Sequence, residues 1–142
     1  MKLIVFCIAF APVALTVLPA RAEDGLPPSY VCTFEKGNSW NYEAGAFKSI
    51  TPSALAFQIS SIDLNGQSAD LTMNDKPSGK LRIVRALNAN SFLEVVDEGF
   101  LNLTTIYDLD PATGTYPAVH SRHFGVIGQP VFAQYAGSCK GK

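Results

Sequence analysis

The sequence predicts an all-β fold: a small antiparallel up-and-down barrel of about eight strands, with a β-sandwich as the alternative. Three observations carry that expectation. Short segments alternating between apolar and polar residues recur about every dozen positions, with turn residues between them. No stretch is long and periodic enough for a helix. Cys32 and Cys139 lie near opposite ends of the chain, so a bridge between them brings the first and last strands together. Short connections make successive strands antiparallel neighbours. An open sheet of that size leaves two exposed edges, and closure into a barrel removes them.

Each element follows from local pattern. After Glu23-Asp24-Gly25-Leu26-Pro27-Pro28, Tyr30, Cys32 and Phe34 share one face of a first strand. Lys36-Gly37-Asn38-Ser39 reads as a turn, and Trp40 to Phe47 as a second strand broken by Gly45. Leu55, Phe57 and Ile59 alternate with Ala56, Gln58 and Ser60. Asn65-Gly66 tolerates positive φ and predicts a type I′ hairpin joining residues 59–64 to 67–73. Asn74 to Gly79 carries turn chemistry. Strands follow over 81–86, 92–96, 100–107, 116–124 and 131–136, separated by 87–90, 97–99, 108–115 and 125–130.

The ends of the chain speak of compartment. Residues 1–22 read as a secretory signal: Lys2, an apolar run from Leu3 to Leu18, then Ala20-Arg21-Ala22 as a cleavage site. An uncleaved anchor is disfavoured, because the run is short for a span and contains Pro12. Cys7 lacks the small residues that precede a lipid-attachment site. Residues 23–29 form a flexible lead, and 30–142 a single barrel-like domain. Cleavage removes Lys2 and Arg21 and leaves nine basic against twelve acidic side chains, with no block of like charge. Nucleic acid is thereby a poor partner, since phosphate binding needs a concentrated basic surface. Stable membrane insertion after cleavage is not expected, the strands being short for a transmembrane barrel. One Cys32–Cys139 disulfide fits an oxidising compartment, periplasmic or secreted.

Few residues offer chemistry. His120 and His123 are three apart on a strand and point to opposite faces, which argues against a direct chelate unless a bulge intervenes, and no metal or cofactor is expected. Folding the hairpin symmetrically about Pro111-Ala112 sets His120 and Arg122 on one face with Leu101, Leu103, Thr105 and Tyr107. Phe100, Asn102, Thr104 and Ile106 then share the other with Val119 and His123. Neither face is cleanly apolar, so which is buried stays open. A barrel mouth formed by Thr105, Tyr107, His120 and Arg122 is the candidate ligand site. Glu94, in an apolar strand, is expected to pair diagonally with Arg85. Asp108-Leu109-Asp110-Pro111 is a turn and not a calcium loop. Asn102-Leu103-Thr104 matches a glycan acceptor, although its place in a strand speaks against use. There is no nucleophile elbow, phosphate loop or dinucleotide fingerprint.

The segments 81–86, 99–107 and 118–124, with Gln134-Tyr135-Ala136-Gly137-Ser138-Cys139, resemble small uncharacterised exported proteins of alphaproteobacteria. The resemblance implies a periplasmic setting and brings no assigned activity. In size, export and Tyr30-Val31-Cys32, the chain is also similar to periplasmic inhibitors of C-type lysozyme, themselves small disulfide-bearing barrels. Their Ser/Gly-rich inhibitory loop has no counterpart here.

These readings converge on an exported protein that binds a small molecule or a periplasmic protein and does not catalyse. One alternative is an interaction module, such as an inhibitor of a cell-wall hydrolase acting through loops 87–90 or 108–115. An enzyme is the least supported. Intact mass of exported, unreduced protein is expected to correspond to a chain beginning at Glu23 with no alkylatable thiol.

Overall fold

The computed structural model describes residues 26–96, 99–124 and 128–142. The expected signal, the first residues of the lead, and parts of the 97–99 and 125–130 connections lie outside them. Nine strands are present among the described residues, all of them antiparallel to their neighbours. They are β1 (Tyr30–Glu43), β2 (Ala46–Ile50), β3 (Leu55–Asp63), β4 (Ser68–Met73), β5 (Lys76–Arg85), β6 (Ala89–Val96), β7 (Phe100–Tyr107), β8 (Tyr116–Phe124) and β9 (Val131–Gly141).

β1 closes the barrel. One of its edges pairs with β9 from Tyr30 to Asn41. The other edge pairs with β3 over Tyr30–Phe34 and with β2 over Ser39–Glu43. β2 and β3 therefore lie end to end along one strand. The remaining neighbours follow in chain order, giving an eight-stranded barrel with β2 as an added hairpin arm. One rim carries the start of β1, the C-terminus and the turns after β3, β5 and β7. The other, the hairpin rim, carries the β1–β2 turn and the connections after β4, β6 and β8.

The barrel and the bridge are as the sequence predicts, and several turns differ. Lys36-Gly37-Asn38-Ser39 is strand, paired with Ala133–Ala136, and a bulge between Thr33 and Lys36 absorbs the irregularity. Gly137 stands opposite that bulge, where a Cβ would run into the Thr33 carbonyl oxygen and the Phe34 ring, so only glycine admits the close approach. The 64–67 connection is not a two-residue turn centred on Asn65-Gly66. Asp63 Oδ1 accepts from both the Asn65 and Gly66 N–H groups (3.0 and 2.9 Å), and Gln67 takes the positive φ of 52°. Two-residue hairpin turns with positive φ fall instead at Ala44-Gly45 (51° and 84°) and at Asn74-Asp75 (49° and 59°), so Lys76 to Gly79 extends β5.

Inward residues of all eight barrel strands form one core, built around Tyr30, Phe34, Ile59, Leu81, Ile83, Phe92 and Ile106. Phe34 stacks on Phe57 at 5.4 Å, and Tyr30 meets Tyr116 edge-on at 5.1 Å. Burial pushes the Tyr30 hydroxyl up, helped by Tyr116 and Asp108. Cys32 and Cys139 face each other directly across β1 and β9, wholly buried, and are bridged. The crosslink spans a sequence separation of 107 residues. Replacing both cysteines with alanine is expected to lower the unfolding free energy by about 4–5 kcal/mol, as for a closed loop of this length. Urea denaturation of both forms checks it.

Candidate functional site

The register of the β7–β8 hairpin decides which side chains enter the barrel. Asp110 closes the connecting turn, accepting from the Ala112 N–H at Oδ1 and from the Thr113 hydroxyl at Oδ2, both at 2.9 Å. These bonds hold its carboxyl below the usual carboxylate range. Asp110 also bridges Thr115, and the register shifts by one residue between that bridge and the strand pairs that begin at Ile106. The strands then align Ile106 with Ala118, Thr104 with His120 and Asn102 with Arg122. A slip of one position turns a strand's side chains to the other face. The face that meets His120 and Arg122 is therefore that of Asn102, Thr104 and Ile106.

Two inward rows of partners cross the sheet. One runs Leu81, Glu94, Asn102, Arg122, Ala133, and the next runs Ile83, Phe92, Thr104, His120, Tyr135. The strands β6, β7 and β8 thus present Glu94, Asn102, Thr104, His120 and Arg122 to an interior that is otherwise apolar. Opposite them stand Leu55, Phe57, Leu71, Met73 and Leu81, from β3, β4 and β5. Between the two walls, toward the hairpin rim, lies a cavity of about 30 Å³. A single water needs roughly 10–15 Å³.

The polar groups are only partly satisfied. Asn102 Nδ2 donates to Glu94 Oε2 at 2.8 Å, and both residues are buried. The other carboxylate oxygen lies over Gly79, where a Cβ would approach it to 2.6 Å, so any larger residue there would make the Glu94 carboxylate shift. Thr104 Oγ1 and His120 Nδ1 are 2.9 Å apart. Asn102 Oδ1 and Arg122 Nε are buried without a hydrogen-bond partner, a condition that costs about 1–3 kcal/mol per group. Arg122 is half-buried at the mouth, its guanidinium 5.0 Å from the centre of the Phe124 ring, a cation–π distance.

The four residues expected to form the mouth do not come together. His120 and Arg122 face the interior, whereas Thr105 and Tyr107 face outward on β7. Thr105 instead exchanges a hydrogen bond with Ser91, 2.9 Å across the outer surface. Asn102 and Thr104 take their places, because the strands pair one residue off a fold symmetric about Pro111-Ala112. Glu94 does not meet Arg85 diagonally: Arg85 stands opposite Asn90, four positions along β5 from Leu81, the partner of Glu94. Asn102 is 9% exposed, so its side chain is closed to a glycan in the folded barrel. His120 is buried while His123 is exposed, on opposite faces of β8. Among the described residues, no three of His, Cys, Asp and Glu gather as a metal site.

The comparisons with known proteins add no family: no family model matches the chain, and no curated protein matches it.

His120 is the titratable group most affected by its surroundings. Phe34, Phe57 and Tyr135 lie within 5.2 to 5.9 Å of its ring, centre to centre. Burial, with the neighbouring Arg122 cation adding to it, lowers its pKa from 6.5 to about 4. The unfolded chain then binds a proton between pH 6.5 and about 4 that the folded barrel does not. Stability from this residue is complete above pH 6.5 and is lost as pH falls toward 4. The loss is on the order of 3 kcal/mol. The variant His120→Gln, which keeps a partner for Thr104, is expected to flatten the urea midpoint over that window, whereas the parent declines.

Proposed function

We propose that this protein is an exported, non-enzymatic barrel that binds a small molecule in its interior, at the cavity beneath the hairpin rim. The observation that carries the reading is the pair of unpartnered buried atoms, Asn102 Oδ1 and Arg122 Nε, beside a cavity with one polar and one apolar wall. Ligand sites in β-barrels combine apolar walls with a few convergent polar groups, and that combination is present here. Export to the periplasm or the medium is supported by the leader-like residues 1–22 and by a buried disulfide, which an oxidising compartment maintains.

A non-catalytic role agrees with the environment of the interior groups. Glu94 is engaged by Asn102, and His120 is held neutral against aromatic rings with the Thr104 hydroxyl as its hydrogen-bond partner. Independence from the bilayer is supported by where the charges sit. The outer wall over β4 and β5 carries Asp70, Lys80 and Arg82, with Lys80 hydrogen-bonded to Asp70, so the outward apolar residues Val84, Val95, Leu101, Leu103 and Val119 do not continue as an apolar band around the barrel.

One observation favours a second reading, an interaction module at the opposite rim. The Asp108 N–H donates to the Asn88 carbonyl at 3.1 Å, joining the connections after β5 and β7. On and beside them Leu87 is 94% exposed, and Tyr107 and Leu109 are also exposed. Exposed apolar groups gathered at one rim suit contact with another protein.

Native mass spectrometry of gently purified exported protein tests the first reading. It is expected to show a noncovalent adduct that disappears in Arg122→Leu. Consistent absence of any adduct, together with retention of a periplasmic protein partner that Leu87→Asp abolishes, would favour the second.

A further inference from the structure

We propose that the interior site recognises a neutral carboxamide group carried on a short aliphatic segment. This rests on the reading of the cavity as a small-molecule site and gives that molecule a chemistry.

Charge comes first. The cavity is lined by one carboxylate, Glu94, and one guanidinium, Arg122, with no further charged side chain among its lining residues once His120 is neutral. An anion drawn to Arg122 would face the Glu94 carboxylate and the Asn102 carbonyl oxygen. A cation drawn to Glu94 would face Arg122. In a poorly solvated interior either like-charge approach is costly, so a net-neutral molecule fits best.

Hydrogen bonding comes second. The two unpartnered atoms are of opposite kind: Asn102 Oδ1 needs a donor and Arg122 Nε carries one. They belong to register partners on adjacent strands. A carboxamide offers an N–H donor and a carbonyl acceptor without charge, and so pairs both. It also completes the row in which Asn102 Nδ2 is already committed to Glu94. As the side chains stand, both atoms are closed off, so a ligand reaches them when Arg122 swings on its stem. Its half-buried position at the mouth, resting on Phe124 and held by no ion pair among the described residues, permits that motion.

Apolar contact comes third. The wall facing the polar row is Leu55, Phe57, Leu71 and Met73, with no polar side chain among them, and a hydrated group there would lose its water unrepaid. That surface accepts the aliphatic part.

Four probes of equal chain length separate the possibilities: butyramide, butyrate, butylammonium and 1-butanol. Each is titrated into the ¹⁵N-labelled, oxidised protein while the Asn102 side-chain and Arg122 Nε–H resonances are followed. Butyramide is expected to bind in the millimolar range, as suits so small a molecule, and at least about tenfold more tightly than the other three. Arg122→Leu, which substitutes a half-buried residue and is checked for folding by circular dichroism, is expected to abolish that preference. Equal or tighter binding of butyrate, butylammonium or 1-butanol overturns the carboxamide assignment and leaves small-molecule binding standing. Undiminished preference for butyramide in the folded Arg122→Leu variant also overturns it. If none of the four perturbs an interior resonance up to 100 mM (about the limit of useful affinity for such fragments), both the assignment and the cavity reading fail.

Discussion

Closure of β1 onto β9 is the constraint on which the rest of this molecule depends. β1 is the longest strand, and it alone meets three partners: β9 along one edge, β2 and β3 in succession along the other. Without the β1–β9 seam, the structure is a sheet with two open edges and a core exposed on one face. The seam is long, and two local devices support it. The disulfide holds it at one point in the core, and Gly137 lets β9 pass the bulge of β1 at close range. The bridge acts mainly by limiting the unfolded chain, and the glycine acts only in the folded one.

Closure also gives the polar row its character. Glu94, Asn102, Thr104, His120 and Arg122 would be ordinary surface residues on an open sheet. Inside a barrel filled by Phe34, Phe57, Phe92 and Leu81 the first four are buried and Arg122 is half-buried. The interior resolves part of that cost by pairing Asn102 with Glu94 and Thr104 with His120. What it leaves unresolved, on Asn102 and Arg122, lies beside the cavity. Burial thus leaves two polar atoms with unmet, directional hydrogen-bonding capacity.

The strands were legible in the sequence because half-buried strands alternate, most strongly over 55–60, while 100–107 was legible from its β-branched and aromatic content. The bridge was legible because two cysteines near the ends of a chain with a leader-like start have one simple use. Tight turns were less so. Asn65-Gly66 has the composition of a two-residue turn, yet the preceding Asp63 captures both of their N–H groups and reshapes it. Asn74-Asp75 carries no glycine and makes that turn instead. The site was half legible. His120 and Arg122 drew attention as polar residues in a strand, but their neighbours depend on a register offset of one residue that no local turn residue announces. Gly79 gives no local signal at all, since its role appears only when the Glu94 carboxylate rests over it.

The seam itself can be observed directly. In nuclear Overhauser spectra of the oxidised protein, the account predicts cross-strand contacts between Val31 and Lys140, Cys32 and Cys139, and Trp40 and Phe132, with amides of β1 and β9 protected from solvent exchange as well as those of β6 and β7. Contacts confined to the immediate surroundings of the two cysteines, with rapidly exchanging amides along the rest of β1 and β9, would mean an open sheet tethered at one point and would contradict it.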